Sequence, residues 1–273
     1  MWRGSLVAKN RYRTETNGVS PRSLTSILKN SACESGSADL ASGRRFANVR
    51  GPRGDRMRAF KFRPSTKIEF ALDILINRRL HCADWRALND PMEGLFVYAT
   101  DGQESRTERV VKGIGDAKSR YRVCSLSRDF QSHLLWAHYA GGFDGLAIEV
   151  DLPDDDLRVR EVQYRGVFAF LDQNDLQDEE EAARTILFSK NDEWRYEQEI
   201  RILSPEPYYD LERPIRRVIV GHRMNQALFR TLHMVCEREG IEFTKIGIGD
   251  EGIDADPIQP RDLQRERRRM RNR

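Results

Sequence analysis

Between Ala59 and Ile248 the apolar residues fall into short runs of period two, and most of these runs follow one another through turns instead of alternating with helices. That succession excludes the regular doubly wound plan and favours antiparallel pairing. Ala59-Phe-Lys-Phe-Arg63 alternates and ends at Pro64, and Leu80–Ala83 is a short strand. Tyr121–Ser127, Gly145–Asp151, Val159–Tyr164, Gln198–Leu203, Ile215–Val220 and Ile241–Ile248 read as further strands. Four segments have helical spacing. Thr66-Lys-Ile-Glu69 has the form of a capping box ahead of Ala71, Leu72 and Leu75. His133–Ala140 is stopped by Gly141-Gly142, Asp178–Lys190 opens on an acidic turn, and Met224–Glu239 places Leu228, Leu232, Val235 and Cys236 on one face. Residues 101–119 are polar and punctuated by glycine, and read as a loop or a marginal helix. The expected fold is a single α+β domain: a curved mixed, largely antiparallel sheet with about four helices packed on it.

Charge marks the limits of that domain. Residues 1–56 hold 11 Lys/Arg against 4 Asp/Glu, and residues 261–273 hold 7 Arg against 2 acidic residues. With a formal net charge of +3, the body over 57–260 is therefore strongly acidic. The first 56 residues show no sustained period and read as a disordered basic extension, an organellar leader, or an upstream extension before a start at Met57. The Arg-rich run 261–273 reads as a solvated tail. An acidic body with basic ends is not built like a duplex-binding domain. No run of eighteen uncharged apolar residues is present, so no membrane-spanning helix is expected. The four cysteines form no C-x-x-C pair, which argues against a zinc ribbon or redox motif and for reduced thiols in a cytoplasm. Phosphate-loop, dinucleotide-fingerprint and nucleophile-elbow patterns are absent, and no metal-ligand spacing is seen.

Three clusters could carry chemistry. Trp136, His138 and Tyr139 precede a glycine-rich turn, either as core anchors or as a stacking and hydrogen-bonding wall for a flat heterocycle. Glu199 and Arg201 share one face of a central-looking strand, with Glu197 one step towards solvent. They read as a buried ion pair or as a carboxylate retained because it acts. Arg63 closes the first strand beside Asn89-Asp-Pro-Met-Glu93, and either pairs with Asp90 or Glu93 or holds an anion through its two-pronged fork. A metal-dependent nuclease using Glu149 and Asp151 is a further alternative, though no lysine follows the acidic pair at the usual spacing.

In these clusters the sequence resembles the bacterial domain family DUF2971. The residues that carry the resemblance are Phe60-Lys-Phe-Arg63, Leu80 to Pro91, Ser125-Leu-Ser127, Trp136-Ala-His-Tyr-Ala140, Gly145-Leu-Ala-Ile-Glu149 and Trp194-Arg-Tyr-Glu-Gln-Glu-Ile-Arg201. Leu88 stands where that family often has Phe, and Phe143-Asp144 where it often has His. The layout in turn resembles ADP-ribosyltransferase folds, with a basic residue on an early strand, a central aromatic and a late-strand glutamate. That resemblance implies catalytic roles for Arg63, Tyr139 and Glu199. It also implies NAD contacts from Arg63, Trp136, His138, Tyr139 and Arg201. The implied activity is NAD-dependent ADP-ribosyl transfer or NAD hydrolysis, as a toxin or phage-defence effector, with a nucleic acid or protein as acceptor. A non-catalytic domain that binds a nucleotide or protein is the alternative.

Overall fold

The computed structural model describes residues 56–98, 104–166, 168–250 and 252–264. The basic extension over 1–55 and the tail from 265 onward lie outside the described residues, as does Cys33.

In chain order the elements are β1 (Arg56–Arg63), α1 (Ile68–Asn77), β2 (Arg79–His81), β3 (Ala83–Asp84), β4 (Phe96–Tyr98), α2 (Glu104–Ser119) and β5 (Arg122–Ser127). There follow α3 (His133–Tyr139), β6 (Leu146–Pro153), β7 (Val159–Glu161), β8 (Gln163–Tyr164), β9 (Ala169–Leu171), α4 (Glu179–Leu187) and β10 (Ser189–Lys190). The last group is β11 (Glu199–Ser204), β12 (Tyr208–Asp210), β13 (Arg217–Val220), α5 (Gln226–Glu239), β14 (Glu242–Gly249), β15 (Gly252–Pro257) and α6 (Pro260–Gln264).

The α+β expectation holds. One curled sheet runs β15-β14-β13-β6-β1-β5-β11-β7, with β3 added beside β5. Every pair in it is antiparallel except β13–β14, which α5 joins as a crossover. Alternation sorts the side chains. Ala59, Cys124, Leu126, Ile148, Ile200, Ile202 and Val218 face α1 and α5, whereas Phe60, Phe62, Ala147 and Ile219 face Leu135 and Trp136 of α3. Among the described residues no helix is long and apolar enough to cross a membrane.

Several boundaries differ from expectation. Residues 101–119 contain the helix α2, whose Ile114 and Ala117 pack on Ala182, Ala183 and Ile186 of α4. The capping box does not form: a 3-10 turn over Ser65–Lys67 precedes α1, and no side chain caps either segment. Arg56 belongs to β1, paired with Pro153, and not to the basic extension. Residues 261–264 are folded in α6, where Asp262 accepts from Lys245 at 2.5 Å. Ile241–Ile248 is a strand as expected, and a further strand, β15, pairs beyond it.

One irregularity positions the site. β1 stays paired with β6 to Arg63–Leu146, and β5 stays paired with β11 to Ser204–Arg122, but β1 and β5 share only the pair Phe60–Ser127. Beyond that pair the two central strands part. The Lys61 ammonium reaches across the gap and donates to the Ser125 carbonyl at 2.5 Å, a backbone group the ladder would otherwise satisfy. The β1 side of this gap is set by close backbone contact at Gly145, where a Cβ would lie 2.1 Å from the Arg63 carbonyl oxygen. Replacing Gly145 with Ala should therefore cost about 1–3 kcal/mol through overpacking. A thermal melt indistinguishable from the parent chain would show that this contact does not constrain β1.

Candidate functional site

A cavity of about 250 Å³ opens where β1 leaves β5. Its walls include Arg63, Tyr139, Glu199 and Arg201, so four of the six residues singled out in the sequence meet in one place. Trp136 and His138 do not line it. Trp136 is wholly buried, its indole N–H donates to the Phe130 carbonyl at 2.6 Å, and its ring stacks on Phe143. It is a core anchor, because the α3 face that carries it is turned onto Phe62. His138 lies on the exposed side of α3 against Tyr139 and Tyr196.

One wall is a string of alternating charges. The Arg201 guanidinium, 0% exposed, binds both oxygens of Glu93 at 2.5 and 2.8 Å, both oxygens of Glu199 at 2.7 and 3.1 Å, and the Leu187 carbonyl at 2.5 Å. Lys190 bridges Glu199 at 3.0 Å and Glu197 at 2.5 Å, and Tyr139 donates its hydroxyl proton to Glu197 at 2.5 Å. Burial would raise the Glu199 carboxyl, but Arg201 and Lys190 outweigh it and hold the group at about 2. Burial and the Glu197 charge push the Tyr139 phenol well above its ordinary range, so it remains a proton donor. The expected Arg63 pairing with Asp90 or Glu93 is not made, since Arg201 takes both oxygens of Glu93.

Glu197 is the carboxylate with capacity to spare. Glu199 accepts three bonds from Arg201 and Lys190, with the Ser125 hydroxyl adding to them, which fills the roughly four acceptor positions of a carboxylate. Among the described residues Glu197 accepts from only Tyr139 and Lys190. It lies in the 3-10 turn Asp192–Glu197, not on β11, and Gln198 at φ 43° turns the chain between them. The string thus runs Glu93–Arg201–Glu199–Lys190–Glu197, three carboxyl groups to two cations, and burial raises the Glu93 carboxyl despite its contacts with Arg201.

The opposite wall is cationic. Lys61 and Arg63 alternate with Phe60 and Phe62 on β1 and enter the gap together. Neither makes an ion pair among the described residues, and the Arg63 Nε is buried with no hydrogen-bond partner. Burial pulls both below their ordinary values, and burial with Arg63 beside it does the same to the His81 imidazole. Buried cations without counter-ions are costly, and an anionic ligand relieves that cost. Lys61, Lys190, Trp194 and Glu197 were not assigned to the site from sequence. The Phe-Lys-Phe-Arg alternation carried the signal for Lys61, whereas only folding brings Lys190 to the two glutamates.

Glu149 and Asp151 are not free for a metal. Arg58 and Arg217 hold Glu149 at 3.2 and 2.7 Å, and Arg216 holds Asp151 at 2.6 Å. Comparison of the chain with family models, curated proteins and solved structures finds no match.

Removing Arg201 strands two buried carboxylates. Arg201→Met should destabilise the chain by about 3–5 kcal/mol, read by denaturant unfolding; a loss under one-third of that would demote the string to a peripheral feature. Glu199 also sets an acid limit. Its folded value of about 2 lies below the ordinary 4.5, so the stability it contributes is complete above about pH 4.5 and is lost as pH falls towards 2. Glu199→Gln should flatten that limb of the stability–pH curve.

Proposed function

We propose that the cleft binds NAD⁺ and cleaves its nicotinamide–ribose bond, passing ADP-ribose to water or to an acceptor. The observation that carries this reading is the separation of charge across one cavity, with two unpaired cations on β1 facing the Glu197 carboxylate beside Tyr139 and Trp194. A ligand that suits both walls joins a diphosphate to a cationic aromatic ring. Arg63 and Lys61 supply charge-assisted donors for the phosphates. Trp194 and Tyr139 offer aromatic surface to the ring, and Glu197 offers free lone pairs to a ribose hydroxyl.

Cleavage of the glycosidic bond develops positive charge on the sugar, as in glycoside hydrolysis. Glu199 is held ionised by Arg201 and Lys190 in a buried wall, so its field needs little reorganisation as that charge appears. Glu199 then acts chiefly through Lys190, which it shares with Glu197. The resemblances to DUF2971 and to ADP-ribosyltransferase folds belong to the same proposal, as does an effector role.

The saturation of Glu199 by Arg201 and Lys190 also favours a second reading, a domain that binds the nucleotide and leaves it intact. Titration calorimetry and nicotinamide release separate the two. NAD⁺ should bind more tightly than NADH, which has the same diphosphate but an uncharged ring. Arg63→Met should weaken binding about 10- to 100-fold. Equal or tighter binding of NADH would remove the ring from the Glu197 wall and overturn the proposal, while binding without nicotinamide release leaves the second reading.

A further inference from the structure

Two buried cysteines have no part in the proposed reaction. β3 and β5 are antiparallel, with Ala83 opposite Val123 and Asp84 opposite Arg122. The ladder ends at Ala83–Val123 and the Cys82 N–H turns to the Pro207 carbonyl, but the same register carried back one residue points Cys82 towards Cys124, and both thiols belong to one buried cluster. Directly opposed residues on antiparallel strands have Cα atoms about 4.5–5.5 Å apart, inside the span of a disulfide. Both thiols are free and no more than 1% exposed. Their chain neighbours His81, Ala83, Val123 and Ser125 line the cavity, while the two sulfurs belong to the buried cluster packed on α1.

We propose that Cys82 and Cys124 form a peroxide-responsive dithiol, with Cys124 as the attacking thiolate and Cys82 as the resolving thiol. The absence of a C-x-x-C spacing concealed the pair, because the sheet and not the sequence brings them together. The groups facing Cys124 make the two sulfurs unequal. The neighbouring Cys82 thiol, with the charges of Lys61 and Arg63, holds Cys124 below the ordinary thiol range against the effect of burial, while the Cys82 S–H itself is directed at the Leu80 carbonyl at 3.9 Å. The neighbouring Cys124 and burial push Cys82 far up, with Lys61 and Arg122 opposing weakly. Cys236 has no such neighbours, and burial alone pushes it up to about 12.

The chemistry closes with hydrogen peroxide as oxidant. The Cys124 thiolate attacks one peroxide oxygen, the O–O bond breaks, and the departing hydroxide takes a proton to leave as water. The resulting sulfenic acid condenses with the Cys82 thiol, forming the S–S bond and releasing a second water. Two thiols lose two electrons and two protons, and one peroxide becomes two waters.

The test uses the full chain carrying Cys33→Ser, treated with excess hydrogen peroxide and then alkylated in denaturant. The expected product has lost about 2 Da, two hydrogens, maps to a Cys82–Cys124 cross-linked peptide, retains alkylatable Cys236, and reverts with dithiothreitol. In the added presence of Cys82→Ser, oxidation should stop at a sulfenic acid on Cys124, captured by dimedone. Lys61→Met should slow the reaction and move the thiolate absorbance midpoint to higher pH. Cys82 and Cys124 both still alkylatable after peroxide, a bridge to Cys236, or sulfenic acid on Cys82 in a Cys124→Ser chain would each overturn the proposal. None of these readouts depends on NAD, so failure here and failure of the proposed reaction are distinguishable.

Discussion

A single buried guanidinium fixes the geometry of the cleft. Arg201 projects from β11 and binds Glu93 from the loop before β4, Glu199 from its own strand and the carbonyl of Leu187 at the end of α4. Three pieces of chain far apart in sequence meet on its five donors. Burying that charge is costly, and only the simultaneous presence of both carboxylates offsets the cost. The loop that carries Glu93 is held from a second direction by Lys118, whose ammonium donates to the Gly94 carbonyl at 2.6 Å and lies over the Trp85 and Phe96 rings. The anionic wall is therefore rigid before any ligand arrives.

The cationic wall is organised differently. Lys61 and Arg63 are placed by strand alternation and by the departure of β1 from β5, not by counter-ions. A gap between central strands exposes backbone groups that a sheet normally pairs, and the Lys61 bond to Ser125 answers one of them. One wall pairs most of its charges internally, whereas the cations of the other make no ion pair among the described residues, and the proposed function rests on that asymmetry.

The long periodic segments were legible in the sequence because their apolar residues recur at strand or helix spacing, even in β6 and β11, which are buried on both faces. β1, β5, β6, β11 and α5 follow their alternation or helical stripe closely. α2 was obscured by Gly113 and Gly115, which lower helix propensity, and its apolar stripe matters only once α4 covers it. β4 and β9 have three residues each, too few to show a period, and they exist through parallel pairing with each other. Of the cavity-lining residues, Arg63, Glu199 and Arg201 were legible because charged residues on apolar strands stand out, and Tyr139 because it closes a short aromatic helix before a glycine turn. Trp136 misled because an aromatic beside a glycine turn has the same local signature in a core as in a pocket. The bridging role of Lys190 and the spare capacity of Glu197 are properties of three-dimensional neighbours, and no spacing encodes them.

The left-handed Gln198 divides the two glutamates between different kinds of scaffold. Glu199 is bound into a ladder paired on both sides, whereas Glu197 ends a short turn tied to that ladder through the Gln198 N–H bond to the Arg195 carbonyl. Substitutions along Asp192–Arg195 can thus re-aim one carboxylate while the sheet keeps the other still. Under the proposed function, selectivity and framework would be mechanically separable, and drift in the turn would offer this architecture a route to new ligands without refolding its centre.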